Sequence, residues 1–398
     1  MTGALDGLRI LDLSRILAGP TATQLLGDFG ADVIKVERPG LGDDTRAWGP
    51  PFVQGSDGPT QESAYYLCAN RNKRSIAIDI ATIEGASTVR QLLAHCDVLV
   101  ENFKPGGLQK YGLSYEDLKD AFPELVYCSI SGFGQTGPNR EKPGYDLLAQ
   151  AYGGIMSLTG DPEGEPMKVA VGIADVMTGM YAANAILAAL RHKDRTGEGQ
   201  HIDIALVDCQ IAWLINEGTN YLTSGKVPQR RGNQHPNIVP YQVFEVKDGH
   251  AVVAVGNDAQ FQRFCALIGR DALASDTRFA TNAARLENRD VLIATLSETL
   301  RNYERDWLIA GLEANKVPGG PINRMDDVFA SDQVAARQMK VSIPHPEAAS
   351  GQVDLIGNPV KFSKTPVTYR RAPPVCGSDT HEILAAFGAG KTTREEER

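Results

Sequence analysis

Asp175 is a lone carboxylate in GIADVMTGM (172–180), set among small and apolar residues directly ahead of the helix-forming run AANAILAALRHK (182–193). Aspartate is among the preferred helix N-cap residues, so one reading is structural. The other is chemical: at a helix N-terminus, unpaired N–H groups and the dipole keep a carboxylate ionised, and anionic ligands bind there too. A second set of residues is cationic. NRNKRS (70–75) brings Arg71, Lys73 and Arg74 together ahead of a strand, Arg38 ends another, and Lys104 and Lys110 follow Asn102 in ENFKPGGLQKYG. Charge runs are commonly solvated surface. Gathered in one region of an acidic chain, these cations would also suit a polyanion such as a nucleotide or coenzyme A. His192 and His201 flank a helix-to-strand turn and read as surface residues, whereas His235, in GNQHPN, could reach a site from a loop.

Several chemistries are argued against. The first strand-to-helix turn, SRILAGPTAT, is not G-x-G-x-x-G, so a nicotinamide or flavin dinucleotide is not expected. Gly19-Pro20 still makes a tight turn opening a helix over 21–30, whose N-terminus could face a phosphate or a carbonyl oxygen or be a turn alone. No Gly-x-Ser-x-Gly elbow occurs, and KTT in GAGKTTREEER (388–398) lacks the first glycine of a P-loop, with Ala385 in its place. The six cysteines form no CxxC or CxxH, which predicts no disulfide framework and no metal site, and they read as reduced core residues of a cytoplasmic protein. A net charge of −9 argues against a nucleic-acid partner. With no basic-then-apolar leader and no run of 18 apolar residues, neither export nor a membrane span is expected.

The elements that must carry these residues alternate. LRILDLS (8–14), TATQLLGDFG (21–30) and DVIKVERP (32–39) read strand, helix, strand, and RSIAIDI (74–80), TIEGASTVRQLLAH (82–95), DVLVEN (97–102), YEDLKDAFP (115–123) and LVYCSIS (125–131) continue the alternation. The pattern predicts an α/β fold, a Rossmann-like mostly parallel sheet with helices on both faces, binding ligands beyond the carboxyl ends of its strands. SGFGQTGPNREKPGYD (131–146) is too long for a simple connector and reads as a functional loop. Helices follow in 147–158 and after Asp175, then a strand in 201–206. The predicted organisation is a large domain over 1–206, a linker over 207–240, a small α+β domain over 241–320 with a hairpin around Asp248-Gly249, and a second linker and C-terminal segment over 321–398 returning to the large domain. The end, GAGKTTREEER, reads as frayed.

An ordered set of these motifs resembles the class III CoA-transferase family, which also includes α-methylacyl-CoA racemases: LDGLRILDLSRILAGP, GADVIKVERPG, GDDTRAWGPPF, NRNKRSIAIDI, DVLVENFKPG, SGFGQTGP, PGYD and GIADVMTGM, then RRGNQHPNIVPYQ, VPGGPINRMDDVF and RAPPVCGSDTHEIL. The resemblance spans nearly the whole chain. It implies that Asp175 is the nucleophile that attacks an acyl-CoA thioester, through an aspartyl anhydride and an aspartyl-CoA thioester. Such a carboxylate must be held against the carbonyl and shielded from water. Gly172, Ala174 and Gly179 would permit close approach of substrate, and a helix N-terminus could supply oxyanion-stabilising N–H groups. By the same resemblance Leu17 and Ala18 line the thioester end, Arg38 lies near the adenine or its phosphate, and Ile78, Ile80, Asn102 and Phe103 form the nucleotide pocket. Arg71, Lys73, Arg74, Lys104 and Lys110 supply charge, Lys110 standing where relatives often have arginine. Tyr145 and Asp146, with Gly134, support the reacting carboxylate.

Racemases of the family resemble GHD where this chain has GYD. A phenol, with its ordinary pKa near about 10, is a poor base at neutral pH, so Tyr145 favours transfer over proton exchange. Formyl-CoA transferases carry a longer, glycine-rich insertion in the small domain, and the short RRGNQHPNIVPYQ here is more like members that move CoA between dicarboxylic acids. Arg15, Arg46, Arg230, Arg231 and His235 are then candidates for a distal carboxylate. The expected activity is CoA transfer from an acyl-CoA, in this resemblance succinyl-CoA, to a carboxylic or dicarboxylic acid, with no prosthetic group, in an interlocked ring-like homodimer. The alternatives are an α-methylacyl-CoA racemase, a formyl-CoA:oxalate-type transferase and a non-catalytic acyl-CoA-binding protein.

Overall fold

Strands rich in Val, Ile and Leu on both faces need cover on both sides, and the first half of the chain provides it. The computed structural model describes residues 3–389. Arg9–Asp12 (β1), Asp32–Glu37 (β2), Lys73–Ala77 (β3), Val98–Glu101 (β4), Val126–Ser131 (β5) and His201–Ala205 (β6) pair in parallel, in the order β3-β2-β1-β4-β5-β6. The order reverses between β1 and β4. In such a sheet that reversal opens a crevice beyond the strand ends.

Ala18–Asp28 (α1) and Ile173–Thr196 (α4) cover one face, their Ala22, Leu26, Ala182 and Ile186 meeting Ile10, Val33, Val98 and Val126 of the strands. Ile83–Leu93 (α2) and the helix Thr380–Phe387 cover the other, with Val89, Leu92 and Ile383 against Leu11, Ile34 and Leu99. Each such fully buried side chain contributes about 2 kcal/mol of transfer free energy. Asp146–Tyr152 (α3) packs on α4. By length and composition α4 could cross a membrane, a feature the sequence reading missed because polar residues interrupt its apolar run; just over half of its apolar window, 56%, is buried inside the protein.

The chain divides into two units. The first holds residues 1–155, 168–215 and 333–398, and the second 156–167 and 216–332. In the second, the hairpin Tyr241–Val246 and Gly249–Ala254 pairs antiparallel with Gly319–Pro321, and helices Asp258–Leu267, Arg289–Leu300 and Arg305–Ala314 close a core around Phe244, Phe261, Phe264, Leu296 and Leu308.

Local departures from the sequence reading have local causes. α1 begins at Ala18 rather than Thr21, because Pro20 falls in the first turn, where its missing N–H costs nothing. Within the expected linker over 207–240, the helix-forming stretch 207–222 folds as two helices rather than one, Leu206–Ala212 and Ile215–Ser224. YEDLKDAFP shrinks to one turn, Tyr115–Leu118, with a Ser114–Asp117 capping box. The hairpin turn is Lys247-Asp248, since Gly249 already pairs with Val246. Of the cysteines, Cys128, Cys209 and Cys265 are buried, but Cys68 is exposed, which corrects its reading as a core residue. The expected fraying and the KTT of the C-terminal tail fall on 390–398, outside the described residues.

Candidate active site

Asp175 is not the N-cap of its helix. That position is Gly172, which leaves Asp175 as the third residue of the first turn of α4, buried at 9% exposure. The cap comes from another helix: Asp146 Oδ1 accepts from the N–H of Ala174 at 2.8 Å and of Asp175 at 3.4 Å, while its Oδ2 accepts from Gln150 Nε2 at 2.8 Å. Ile173 N–H is taken by Val171 O and Val176 N–H by Gly172 O. The first-turn N–H groups of α4, from Ile173 to Val176, are therefore all taken. Burial, and then the charge of Asp146, push the Asp175 carboxyl up to about 7, so this helix end does not hold it at the ordinary acidity of aspartate. Tyr65 feels the same charges: burial first, then Asp175, push its phenol up to about 12.

The small residues around Asp175 make close packing contacts. A Cβ on Gly179 would lie 2.6 Å from Ala18 O, so Gly179 lets α4 touch α1, and a Cβ on Gly172 would lie 3.0 Å from Leu17 Cδ2. Ala174 is wholly buried. Gly132 and Gly144 meet backbone to backbone, a Cβ on either falling within 2.4 Å of the other's Cα, and that contact sets the PGYD turn onto the end of β5.

α1 presents the free donors. Its N–H groups at Ala18 and Gly19 have no acceptor among the described residues, and Ala18 lines a cavity that also holds Asp175. The loop leading into α1 is fixed from two sides. Asn102, just past β4, accepts from Arg15 N–H at 2.9 Å and donates to Arg15 O at 2.7 Å, bridging the two strands at the reversal point. Asp43 accepts from Ile16 N–H at 3.3 Å and from Lys35 Nζ at 2.8 Å. Burial raises the Asp43 carboxyl, but Lys35 and the Thr45 hydrogen bonds outweigh it and hold it at about 2. Between these anchors Ile16 sits at φ 71°, a left-handed conformation that costs a β-branched residue on the order of 1–3 kcal/mol.

The cavity with Asp175 measures about 590 Å³ and runs past Leu17, Ala18, Asn102, Phe103, Lys104, Lys110, Lys142 and Tyr145. A second, of about 140 Å³, is lined by Arg38, Ile78, Ile80 and Phe103, and Arg15, Phe103 and Tyr111 belong to both. The two form one groove. Among the described residues, Arg38, Lys104, Lys110 and Lys142 make no ion pair within 4.0 Å. A buried carboxylate therefore shares this groove with four cations that have no ion pair, with Asp79 near Arg38 as an exposed acid, an arrangement that suits a polyanionic thioester.

A family model described as CoA-transferase family III matches residues 5–380. The chain belongs to that family. It is 51% identical over 383 residues to the succinate–glutarate CoA-transferase of Agrobacterium fabrum, covering 96% of this chain and 95% of that one. It is 45% identical over 381 residues to the succinyl-CoA:glutarate CoA-transferase of Homo sapiens, covering 96% and 85%. Among solved structures, a CAIB/BAIF family protein from Brucella suis superposes with a TM-score of 0.85 at 49% identity, covering 97% of this chain and all of that one.

In this family III transferase not every predicted site residue reaches the groove. Lys73 is fully buried on Asp12, Pro20 O and Asn70; Arg71 is paired with Asp28, and Arg74 with Asp32. These three cations are neutralised inside the first unit. Arg46, buried, is shared between Glu37, Glu62 and Tyr66, which leaves it no fork for a substrate carboxylate. Arg15 lines the groove but pairs with Asp44 at 2.7 Å. Gly134, at φ 87°, donates to Ser131 Oγ behind the groove lining. Arg230, Arg231 and His235 belong to the second unit. There Arg230 donates to the carbonyls of Asp161 and Gly164, Arg231 pairs with Glu217, and His235 Nδ1 accepts from Asn237 N–H. Sequence reasoning missed Trp48, Tyr111 and Lys142 as lining residues. Lys142 carried a signal, a cation three residues ahead of Tyr145 in a loop already marked as functional. His201 is half-buried: it stacks on Tyr115 at 4.7 Å, with Nε2 2.9 Å from Ser129 Oγ.

Proposed function

We propose that the protein moves coenzyme A from succinyl-CoA to a second dicarboxylic acid, with Asp175 as the nucleophile. The observation that carries this reading is the single groove joining the buried Asp175 to four unpaired cations, in a chain whose relatives are named for succinyl and glutaryl transfer. In this reading the adenine end lies by Arg38, Ile78, Ile80 and Phe103, the phosphates meet Lys104, Lys110 and Lys142, and the thioester reaches Leu17 and Ala18.

An ionised Asp175 oxygen attacks the thioester carbonyl; the C–S bond breaks and the CoA thiolate departs, leaving an aspartyl–succinyl anhydride. The thiolate attacks the aspartyl carbonyl and expels succinate, giving an aspartyl-CoA thioester. The acceptor carboxylate attacks that carbonyl, expelling thiolate again, and the thiolate then takes the acyl group and frees Asp175. Each tetrahedral centre bears an oxyanion, and the donors suited to it are the free N–H groups of Ala18 and Gly19. Asp146 helps by keeping the α4 end and Asp175 in place, and Tyr145, at the entrance, shields the anhydride from water. Arg15 is the groove residue placed to swing from Asp44 onto a distal carboxylate. No prosthetic group takes part.

The enzyme acts in the cytoplasm as a homodimer in this reading. Leu147 and Leu148 of α3 and Met180 and Tyr181 of α4 are exposed apolar side chains that a second copy would cover. The test is a panel assay in which succinyl-CoA is mixed with a range of dicarboxylic acids and new thioesters are identified by mass. Transfer to at least one acid, lost in Asp175→Ala, supports the proposal; no transfer from any donor, or transfer undiminished by Asp175→Ala, overturns it. Solvent deuterium entering the α-carbon without CoA exchange would point to a racemase instead.

A further inference from the structure

We propose that Glu101 is a positioning residue for the transfer reaction, holding the turn that presents Asn102 and Phe103 to the groove. This inference rests on the reading that the groove holds coenzyme A. Glu101 is the last residue of β4, at the reversal point of the sheet, and is buried at 5% exposure. Its Oε2 accepts from Phe103 N–H at 2.8 Å, which closes the turn around Asn102.

Behind the turn lies a cavity of about 330 Å³, lined by Glu101, Ser129, His201 and Lys104. With open space on that side, the Phe103 N–H bond to Glu101 carries the positioning. Through Asn102 the effect extends to the main chain of Arg15 and the loop that enters α1.

The test uses the full chain. Coenzyme A is titrated calorimetrically, and KM and kcat with succinyl-CoA are measured, for wild type, Glu101→Ala, Glu101→Gln, Glu101→Leu and Arg38→Ala, with thermal melting as a check on folding. Loss of a hydrogen bond to a buried carboxylate predicts that Glu101→Ala raises Kd and KM about tenfold while kcat stays within about twofold. Glu101→Gln, whose amide oxygen still accepts from Phe103 N–H, should recover most of that loss. Glu101→Leu fills the site without an acceptor and should raise KM as far as Glu101→Ala does. Unchanged Kd in Glu101→Ala, a loss confined to kcat, or a Gln variant as impaired as Ala overturns the proposal; if Glu101→Ala does not fold, an unchanged KM in Glu101→Leu does so. Arg38→Ala separates the two readings: if it leaves CoA binding intact, the groove assignment itself fails, whereas weakening by Arg38→Ala with a silent Glu101→Ala refutes the positioning role alone.

Discussion

Asp175→Asn should abolish turnover and at the same time stabilise the fold, by an amount that grows with pH. The wild-type carboxyl is raised from an ordinary 3.8 to about 7 in the folded state, so the folded protein holds this proton more tightly than the unfolded chain does. Stability from that proton is fully present below about pH 4, and it is lost as pH rises toward 7. Integrating the linkage between those two values gives a loss of about 1.5 kcal/mol by pH 5 and about 4 kcal/mol by pH 8. Asparagine has no such proton, and its amide fills nearly the same space. The stability difference between Asp175→Asn and wild type should therefore widen by about 2.5–3 kcal/mol from pH 5 to pH 8. Urea unfolding of both proteins at the two pH values measures it, every other titration cancelling in the comparison. A difference that stays flat within about 1 kcal/mol, or wild type gaining on the variant as pH rises, would refute the reasoning. The same carboxyl must ionise to attack, so wild-type kcat/KM should climb with pH through about 7.

Asp146→Asn removes the second cause of that raised pKa, so the midpoint of the kcat/KM profile should move down, stopping short of the ordinary aspartate range because burial is the larger cause. Lys110→Glu should raise KM for the acyl-CoA about five- to tenfold at low ionic strength, and the penalty should shrink in about 0.5 M salt, since the groove lysines are exposed. Gly179→Ala places a methyl group 2.6 Å from Ala18 O and should destabilise the protein by about 1–3 kcal/mol, read as a lower melting temperature. Arg46→Met leaves Glu37 and Glu62 buried without their partner and should cost about 3–5 kcal/mol, so the soluble yield should collapse.

The parallel sheet was legible because Ile10, Leu11, Val33, Ile34, Val98 and Leu99 are buried on both faces, and continuous apolar runs between helical stretches have few other solutions. Asp175, Arg38, Asn102 and Phe103 were legible through ordered motifs. What misled was charge. NRNKRS looks like a ligand-binding cluster, yet Arg71, Lys73 and Arg74 each have a carboxylate waiting on a distant element, at Asp28, Asp12 and Asp32, and pairing across that separation leaves no periodic trace. Lys142 was passed over for the converse reason: it stands singly in a loop, over the Phe133 ring and with no ion pair among the described residues, so no charge pattern marks it. The cap of α4 was equally hidden, since Asp146 and Ala174 lie 28 positions apart and meet only once the loop between them is folded.

The contact between Gly132 and Gly144 places the tolerance of this site in the main chain. Tyr145 and Asp146 follow Gly144 directly, and Asp146 holds the helix end that carries Asp175, so a displacement of a few tenths of an ångström between the two glycines would be delivered to the Asp175 carboxyl with no flexible side chain to absorb it. Re-engineering for a different acceptor acid has freedom elsewhere in the 131–146 loop, at Arg140, whose side chain is exposed. The glycine pair is the hinge pin of the arrangement, and a library that varies it would sample mispositioned catalysts more often than new specificities.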